Sequence, residues 1–314
     1  MSKVLVISGH PNLDSSYTNK VILKQAENNV HDIQVRRLDT LYPDFRIDVE
    51  AEQQALLEAD VVVLQFPFYW YSIPALLKKW IDDVFSYNFA CGSKGDKLKG
   101  KDFLLSFTIG GPSESYDPLG YNHFSIEQLL MPLQQTAYLA GMNFQKPLYS
   151  HGMVFIPGVY NTQEGVEAKA LEHSNMLVSR INALVDSTEN RVKKLVKAWF
   201  EKFDVLPETG DYFVESLSKD VTWIAPEGEF KGHAGFNDWY QTVRGVFKPD
   251  CQHIVENVQV FENEGDIKAE LRIRLIADTF SGESINLLVN EKWDLVDVDS
   301  KLVITRYLVE PVQG

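Results

Sequence analysis

The sequence predicts two domains in series: a doubly wound α/β domain with a five-stranded parallel sheet over residues 1–187, then an α+β domain over residues 188–314. Three observations predict this. The chain has 314 residues, long for a single core. Its first part alternates short apolar runs with helix-period patterns, the rhythm of a parallel sheet covered on both faces. From about Thr188 the order changes to helices first and long strands afterwards.

In the first part, Val4–Ser8, Ile33–Leu38, Val61–Phe66 and Phe103–Thr108 read as the first four strands, and Pro147–Ile156 holds the fifth. Helices are expected from about Ser16, from Pro74, over Ile126–Ala140 and over Glu164–Val185. The second of these places Leu76, Leu77, Trp80, Ile81, Val84 and Phe85 at i, i+3, i+4 spacing. In the second part, helical stretches over Arg191–Phe203, Asp211–Leu217 and Phe236–Phe247 flank a strand at Val221–Ile224. An antiparallel meander of His253–Glu262, Ile267–Phe280, Ser284–Asp297 and Lys301–Glu310 follows, with turn signals between its strands.

Hydrophobic residues make up 45% and charged residues 24% of the chain, an ordinary globular balance. The net charge of −14 comes with no basic block, which speaks against a nucleic-acid surface. No apolar run approaches the roughly 20 residues that span a bilayer, so no membrane insertion is expected. Lys3 followed by Val4–Ile7 is too short for a signal-peptide core and reads as the first strand. Cys91 and Cys251 lie too far apart in sequence for a disulfide framework or a zinc site. Free thiols, a cytoplasmic location and no metal are the expectation.

Residues 9–19, GHPNLDSSYTN, follow the first strand and open a helix. Backbone N–H groups and the positive helix end converge there on a point that suits a phosphate. Ser16 and Thr18 add hydroxyls, His10 a ring nitrogen, and Asn19 can hold the loop shut. The alternative is an ordinary strand–helix turn with a capping serine. The segment is neither a Walker loop nor a GxGxxG turn.

After the third strand, Phe68, Tyr69, Trp70 and Tyr71 form four consecutive aromatics on a loop, suited to covering a flat ring system. A hydrophobic lid or a dimer contact is the competing reading. After the fourth strand, Gly110 and Gly111 remove side chains where backbone must approach a ligand closely. Tyr116 and His123 lie within the next dozen residues as candidate proton donors.

Taken together, GHPN…S.TN, LYPDFRID (41–48), FPFYWYSIPALLKKWIDDVF (66–85) and TIGGPSES closely resemble the NAD(P)H:quinone oxidoreductase family of flavodoxin-like proteins. The nearest likeness is to FMN-binding ancillary subunits of glutathione-gated potassium efflux systems and related bacterial quinone reductases. It covers about residues 1–185. The resemblance implies that His10 and Ser16, Tyr17, Thr18 and Asn19 contact flavin phosphate. It also implies that Pro67, Phe68, Tyr69, Trp70 and Tyr71, with Thr108, Ile109, Gly110 and Gly111, surround the isoalloxazine. In the mammalian branch a tyrosine and a histidine after the glycine pair relay a proton. Tyr116 falls at the tyrosine position, while counting puts Asn122 at the histidine position and His123 one residue beyond. The implied cofactor is FMN, with FAD as an alternative, and NAD(P)H is the hydride donor. A quinone or similar electrophile is the acceptor in ping-pong, two-electron transfer, and the implied assembly is a homodimer.

Residues 190–314 resemble the SnoaL-like branch of the NTF2-like superfamily, through residues 220–240, 253–266 and 291–311. That likeness implies a cone-shaped pocket formed by a curved sheet wrapped round helices. Trp223, His233, Tyr240, His253, Arg272, Arg274 and Trp293 are candidate lining residues, and no acid–base pair stands out by spacing. A binding or dimerisation module is the leading reading of this domain. Two alternatives stand beside the reductase reading of the whole chain. One is a regulatory flavoprotein in peripheral contact with a potassium-efflux or other transporter. The other is a fusion of reductase with isomerase or dehydratase.

Overall fold

The computed structural model describes residues 3–312. Its contacts divide the chain into two units, Met1–Asp186 and Ser187–Gly314.

In the first unit, strands β1 (Val4–Ser8), β2 (Ile33–Arg37), β3 (Val61–Pro67), β4 (Asp102–Thr108), β5 (Asn143–Phe144) and β6 (Leu148–Ser150) form one parallel sheet. The order is β2-β1-β3-β4-β5, with β6 pairing the far end of β4. Every residue of β1, β3 and β4 is buried, as a sheet covered on both faces requires. The expected single fifth strand over Pro147–Ile156 is instead two short pieces, β5 and β6, because Pro147 lacks the N–H that would continue the ladder.

Helices α1 (Asn19–Asn29), α2 (Leu38–Leu41), α3 (Val49–Glu58), α4 (Ala75–Val84), α5 (Ile126–Leu139) and α6 (Gln163–Val185) complete the unit. The apolar stripe expected on α4 is buried as Leu76, Leu77, Trp80, Ile81 and Val84. Ser125 and Gln128 close a capping box on α5. α3 is an addition to the sequence reading: its stripe is short, and its one clear signal is Asp48, whose carboxylate accepts the Ala51 N–H at 3.1 Å. Buried Glu52 of α3 ties several elements together by accepting from Tyr42, from Arg36 and, at 2.8 Å, from Trp80 Nε1.

Because β1 lies between β2 and β3, the chain leaves β1 toward one side and later returns on the other. The loops after β1 and β3 diverge at this switch point and leave a crevice at the C-terminal sheet edge. The loop after β4 borders the same edge, since Pro67 of β3 pairs in register with Thr108 of β4.

The second unit comprises α7 (Thr188–Val205), α8 (Asp211–Val214), β7 (Leu217–Ala225), β8 (Gly228–Lys231), α9 (Gly232–Val246), β9 (Gln252–Asn263), β10 (Asp266–Asp278), β11 (Ser284–Val298) and β12 (Lys301–Pro311). The sheet order is β8-β7-β12-β11-β10-β9. β9 to β12 form the expected antiparallel meander, but β7 joins β12 in parallel, and β8 is a short addition. Register shifts at Arg272/Ile273, Asp294/Leu295 and Ile304/Arg306 bend the sheet. Its inner face packs on α7 and α9 through Trp199, Trp223, Phe236, Tyr240, Trp293 and Tyr307. That is the architecture the resemblance implied. No helix among the described residues is long and apolar enough to cross a membrane.

Candidate functional site

The loop after β1 is pinned from β2's side: the Leu13 amide donates to Asp39 Oδ2 at 2.9 Å, and Arg37 holds Asp39 at 3.0 Å. His10 is 7% exposed, and its Nδ1 accepts the Asn12 amide at 3.1 Å, which leaves Nε2–H as a donor without a partner among the described residues. Burial outweighs the pull of Asp39 and lowers the His10 pKa, so the ring is neutral.

At the start of α1, Thr18 makes no side-chain capping bond, and Ile22 is the first residue whose amide finds a carbonyl, that of Thr18. Ser16 Oγ accepts the Asn19 amide at 3.0 Å. Among the described residues the amides of Tyr17, Thr18, Lys20 and Val21 have no acceptor. Ser8 Oγ, buried at the end of β1, also lacks a partner. A helix N-terminus with free donors, a neutral imidazole N–H and an orphaned hydroxyl form a set that suits an anionic oxygen group.

Asn19 does more than hold this loop shut. Its Nδ2 donates to Thr108 Oγ1 at 3.0 Å, and its Oδ1 accepts from Gln65 Nε2 at 2.9 Å. Ser106 Oγ donates to Gln65 Oε1 at 2.6 Å, and His173 lies between Ser106 Oγ (2.9 Å) and Ser150 Oγ (2.8 Å). Since Ser106 gives its proton to Gln65, it accepts from His173 Nε2–H, and Ser150 donates to Nδ1. Burial holds this histidine neutral, its pKa pushed down to about 4. A directed polar chain thus runs from α6 beneath the sheet edge to Thr108, whose own hydroxyl proton has no protein acceptor among the described residues. Gln65, Ser106, Ser150 and His173 escaped sequence reasoning because they sit singly in strands and a helix, without motif spacing.

The aromatic loop is a tight hairpin. Tyr69 and Ser72 exchange both backbone hydrogen bonds at 3.0 Å, and Trp70 and Tyr71 both have positive φ, 46° and 64°. That is a type I′ turn, normally Asn-Gly, built here from two aromatics. Such strain is typical of residues held for a ligand. Trp70 is 90% exposed and Tyr69 and Tyr71 are exposed, while Tyr69 lies 6.4 Å from the His10 ring. Phe68 departs from the expected role: its ring is buried against Phe107, and its amide is spent on the Thr108 carbonyl. Pro67 and Ile109 are buried as well, so their side chains line the core rather than an open face. Tyr17 is exposed and touches Phe155 edge-on.

A Cβ at Gly110 would meet only Val154, at an ordinary 3.5 Å, and its φ is not left-handed. Neither packing nor conformation requires glycine there, whereas a molecule seated against the backbone would. Tyr116 packs partly into the core, and burial raises its pKa, so its hydroxyl keeps its proton. The histidine beside it is His151, at 5.4 Å between ring centroids, whose Nδ1 donates to the Gly111 carbonyl at 3.3 Å. Burial keeps His151 neutral. His123, the expected relay residue, is exposed at a left-handed position (φ 63°) and makes no side-chain contact with Tyr116 among the described residues. The counted position, Asn122, bridges Tyr71 Oη (3.0 Å) and Ser115 Oγ (3.1 Å). His151 was missed because it follows the split fifth strand, 35 residues after Tyr116.

In the second unit, Trp223 and His253 line a cavity of about 150 Å³. Trp293 and Tyr240 are buried in the aromatic core, and His233 Nε2 meets the Leu217 carbonyl at 3.1 Å. Arg272 and Arg274 share a face as expected, but it is the outer one, where both pair with Glu256. β10 turns Ile267, Ala269, Leu271 and Ile273 inward, which sends the arginines out. Two pairs that spacing concealed are brought together: Asp204 with His253 at 2.7 Å, and Glu291 with Tyr307 at 2.5 Å.

Residues 2–176 match the family model for the flavodoxin-like fold. Among curated relatives, the uncharacterized NAD(P)H oxidoreductase YdeQ of Bacillus subtilis is 47% identical over 146 residues, 45% of this chain and 72% of the relative. General stress protein 14 of the same organism is 45% identical over 152 residues, 48% of this chain and 86% of the relative. The crystal structure of general stress protein 14 from Treponema denticola, in complex with FMN, superposes with a TM-score of 0.53 at 31% identity. It spans 58% of this chain and 99% of its own.

Proposed function

The chain belongs to the flavodoxin-like family of NAD(P)H oxidoreductases, and on that premise we propose that residues 1–187 bind FMN and reduce a quinone or similar electrophile with NAD(P)H. The observation that carries this reading is the convergence of three loops, after β1, β3 and β4, on one sheet edge, linked by the Asn19–Thr108 bond. The FMN complex of the Treponema relative supports the mononucleotide over FAD.

In this reading the α1 N-terminus, His10 Nε2–H and the Ser16 and Thr18 hydroxyls hold the phosphate. Tyr69, Trp70 and Tyr71 cover the ring system, and Thr108 with Gly110 and Gly111 receives its edge. The bound flavin supplies two-electron acceptance from a nicotinamide and two-electron delivery to an acceptor. The aromatic turn orients the stacked partners and excludes water. Tyr116 Oη holds a proton at the site, and His151, with Nδ1–H tied to Gly111, offers Nε2 to take or return one. Donor and acceptor occupying the same seat in turn gives ping-pong kinetics.

Trp70, Leu119, Tyr121 and Phe124 are all exposed around this site, and Tyr71 is joined to the 119–124 loop through Asn122. An exposed aromatic rim of this kind favours a homodimer in which a second copy covers the site. Sedimentation equilibrium tests the homodimer, and co-purification with a transporter, compared with a variant lacking the aromatic loop, tests the transporter-partner alternative. The direct functional test is spectroscopic. Protein loaded with FMN is expected to lose its yellow colour on adding NADPH or NADH, and to regain it on adding a quinone. Colour unchanged by both nicotinamides would overturn the reading.

A further inference from the structure

The cavity in the second unit is half open and is lined by α7, α9 and the inner faces of β7, β9, β10, β11 and β12. Its walls are largely aromatic: Phe200, Phe203, Trp223, Trp239 and Tyr307 contribute, with Trp223 and Tyr307 stacked at 3.8 Å. Its volume is about 150 Å³. A space of roughly 150 Å³ is large enough to take up benzene. The occupant that fits is therefore a molecule with one ring.

A buried carboxyl group without full pairing costs more than an apolar residue of similar volume. Yet Glu291 lies on this wall, 5% exposed, and unlike Glu52 of the first unit it has no cationic partner among the described residues. Both of its protein hydrogen bonds fall on one oxygen: Oε2 accepts from Tyr307 Oη at 2.5 Å and from Trp293 Nε1 at 3.1 Å. Oε1 has no protein partner among the described residues. Burial pushes the carboxyl up to about 7 despite those two bonds. With the lone pairs of Oε2 engaged, the proton of the neutral acid sits on Oε1, which is then an O–H donor without a protein acceptor among the described residues.

The other titratable groups on the wall are accounted for. Asp204 on α7 accepts both the His253 amide (2.9 Å) and Nδ1–H (2.7 Å), which leaves His253 Nε2 as an acceptor. Cys251 lies within 4.8 Å of this pair, but burial pushes its thiol up to about 11, and its Sγ–H points at the Phe203 and Asp204 carbonyls. The Asp204 and His253 ligand atoms already bond each other, so the trio is arranged as a hydrogen-bonded pair rather than as a metal site. Glu227 accepts from Trp239 Nε1 at 3.0 Å. The Tyr307 hydroxyl is pushed far up by burial and stays protonated. Of these titratable groups, Glu291 is the one that offers a new donor to an occupant; the Trp223 Nε1–H on the same wall also has no partner among the described residues.

We propose that this cavity is a binding site for a single-ring carbonyl compound, whose ring lies among the aromatic walls and whose oxygen accepts a hydrogen bond from Glu291 Oε1. The site lies within the second unit and does not depend on the flavin reading of the first.

Calorimetric titration of the full chain with acetophenone, and with toluene as the hydrocarbon control, tests this. Acetophenone is expected to bind one per chain at pH 6 at least about 10-fold more tightly than toluene, the difference one hydrogen bond to a desolvated group makes. Its affinity falls as pH rises from 6 to 8.5 and the carboxyl ionises. Glu291→Gln keeps a donor at that oxygen, so binding persists and the pH dependence disappears. Glu291→Leu abolishes the preference for acetophenone while toluene still binds, which shows that the cavity remains folded. Equal affinity for both probes in the unmodified protein, no binding of either, or a pH dependence that survives Glu291→Gln would each overturn the proposal.

Discussion

Replacing Trp70 and Tyr71 together by Asn and Gly is expected to stabilise the flavin-free protein while weakening its hold on FMN. Both residues occupy left-handed backbone at φ 46° and 64°. Each non-glycine side chain there costs roughly 1–2 kcal/mol, so the pair stores about 2–4 kcal/mol. Asn-Gly is the sequence that a type I′ turn prefers, and it releases most of that strain. Against the gain stand the Tyr71–Asn122 hydrogen bond, worth about 1 kcal/mol at an exposed site, and the entropy of the new glycine, roughly 0.5–1 kcal/mol. Truncating Trp70 loses little packing, because the ring is 90% exposed. The net is a stabilisation of about 1 kcal/mol, a rise of roughly 2–4 °C in Tm for a domain of this size. Two lost ring contacts with the flavin remove about 2 kcal/mol of binding, roughly 30-fold in Kd. Differential scanning fluorimetry of the flavin-free protein reads the first effect, and quenching of FMN fluorescence reads the second. A fall in Tm together with unchanged FMN affinity would refute the reasoning, because the turn would then be neither strained nor part of the site.

Other consequences follow from the same geometry. His173 titrates near 4 in the fold and near its ordinary value when unfolded, so between roughly pH 6.5 and pH 4 only the unfolded chain gains that proton. The stabilisation is full above this window and is lost as pH falls through it, by about 3 kcal/mol; urea unfolding at pH 7 and pH 4 should show the loss, and His173→Gln should reduce it. Tyr116→Phe and His151→Asn are each expected to lower quinone-reductase kcat by about 100-fold if they handle the proton, whereas His123→Ala leaves it within about twofold. Steady-state kinetics with equal FMN occupancy checks both, and a loss at His123 alone would reverse the assignment. Asn19→Ala, which cuts the link to Thr108 and Gln65, is expected to destabilise the first unit by about 1–3 kcal/mol by leaving buried donors and acceptors unpaired.

The sheet was legible because β1, β3 and β4 are buried on both faces and therefore read as unbroken apolar runs. α4 was legible because its stripe is strictly periodic. α3 was not, since much of its anchoring comes from Glu52, a charged residue whose partners on β2, α2 and α4 no local pattern announces. The loop after β1 showed in the sequence as a compact motif, whereas the polar chain beneath it did not: Asn19, Gln65, Ser106 and His173 are scattered over more than 150 positions. The choice of histidine beside Tyr116 failed for a related reason. Counting along a loop assumes an extended path, but the 113–124 segment folds back on itself through the Asn122–Ser115 bonds, carries His123 outward and leaves His151 at the ring. In the second unit strand parity placed Arg272 and Arg274 on one face but could not say which, and the inward apolar residues of β10 decided it.

The central claim is that the free amides at the start of α1, with His10 and the hydroxyls around them, bind the flavin's phosphate. Titrating the flavin-free protein with FMN and with riboflavin, which differ only in that group, measures it most directly. Two charge-assisted hydrogen bonds of about 2 kcal/mol each predict that FMN binds at least about 100-fold more tightly than riboflavin. Equal affinity for the two would contradict the account.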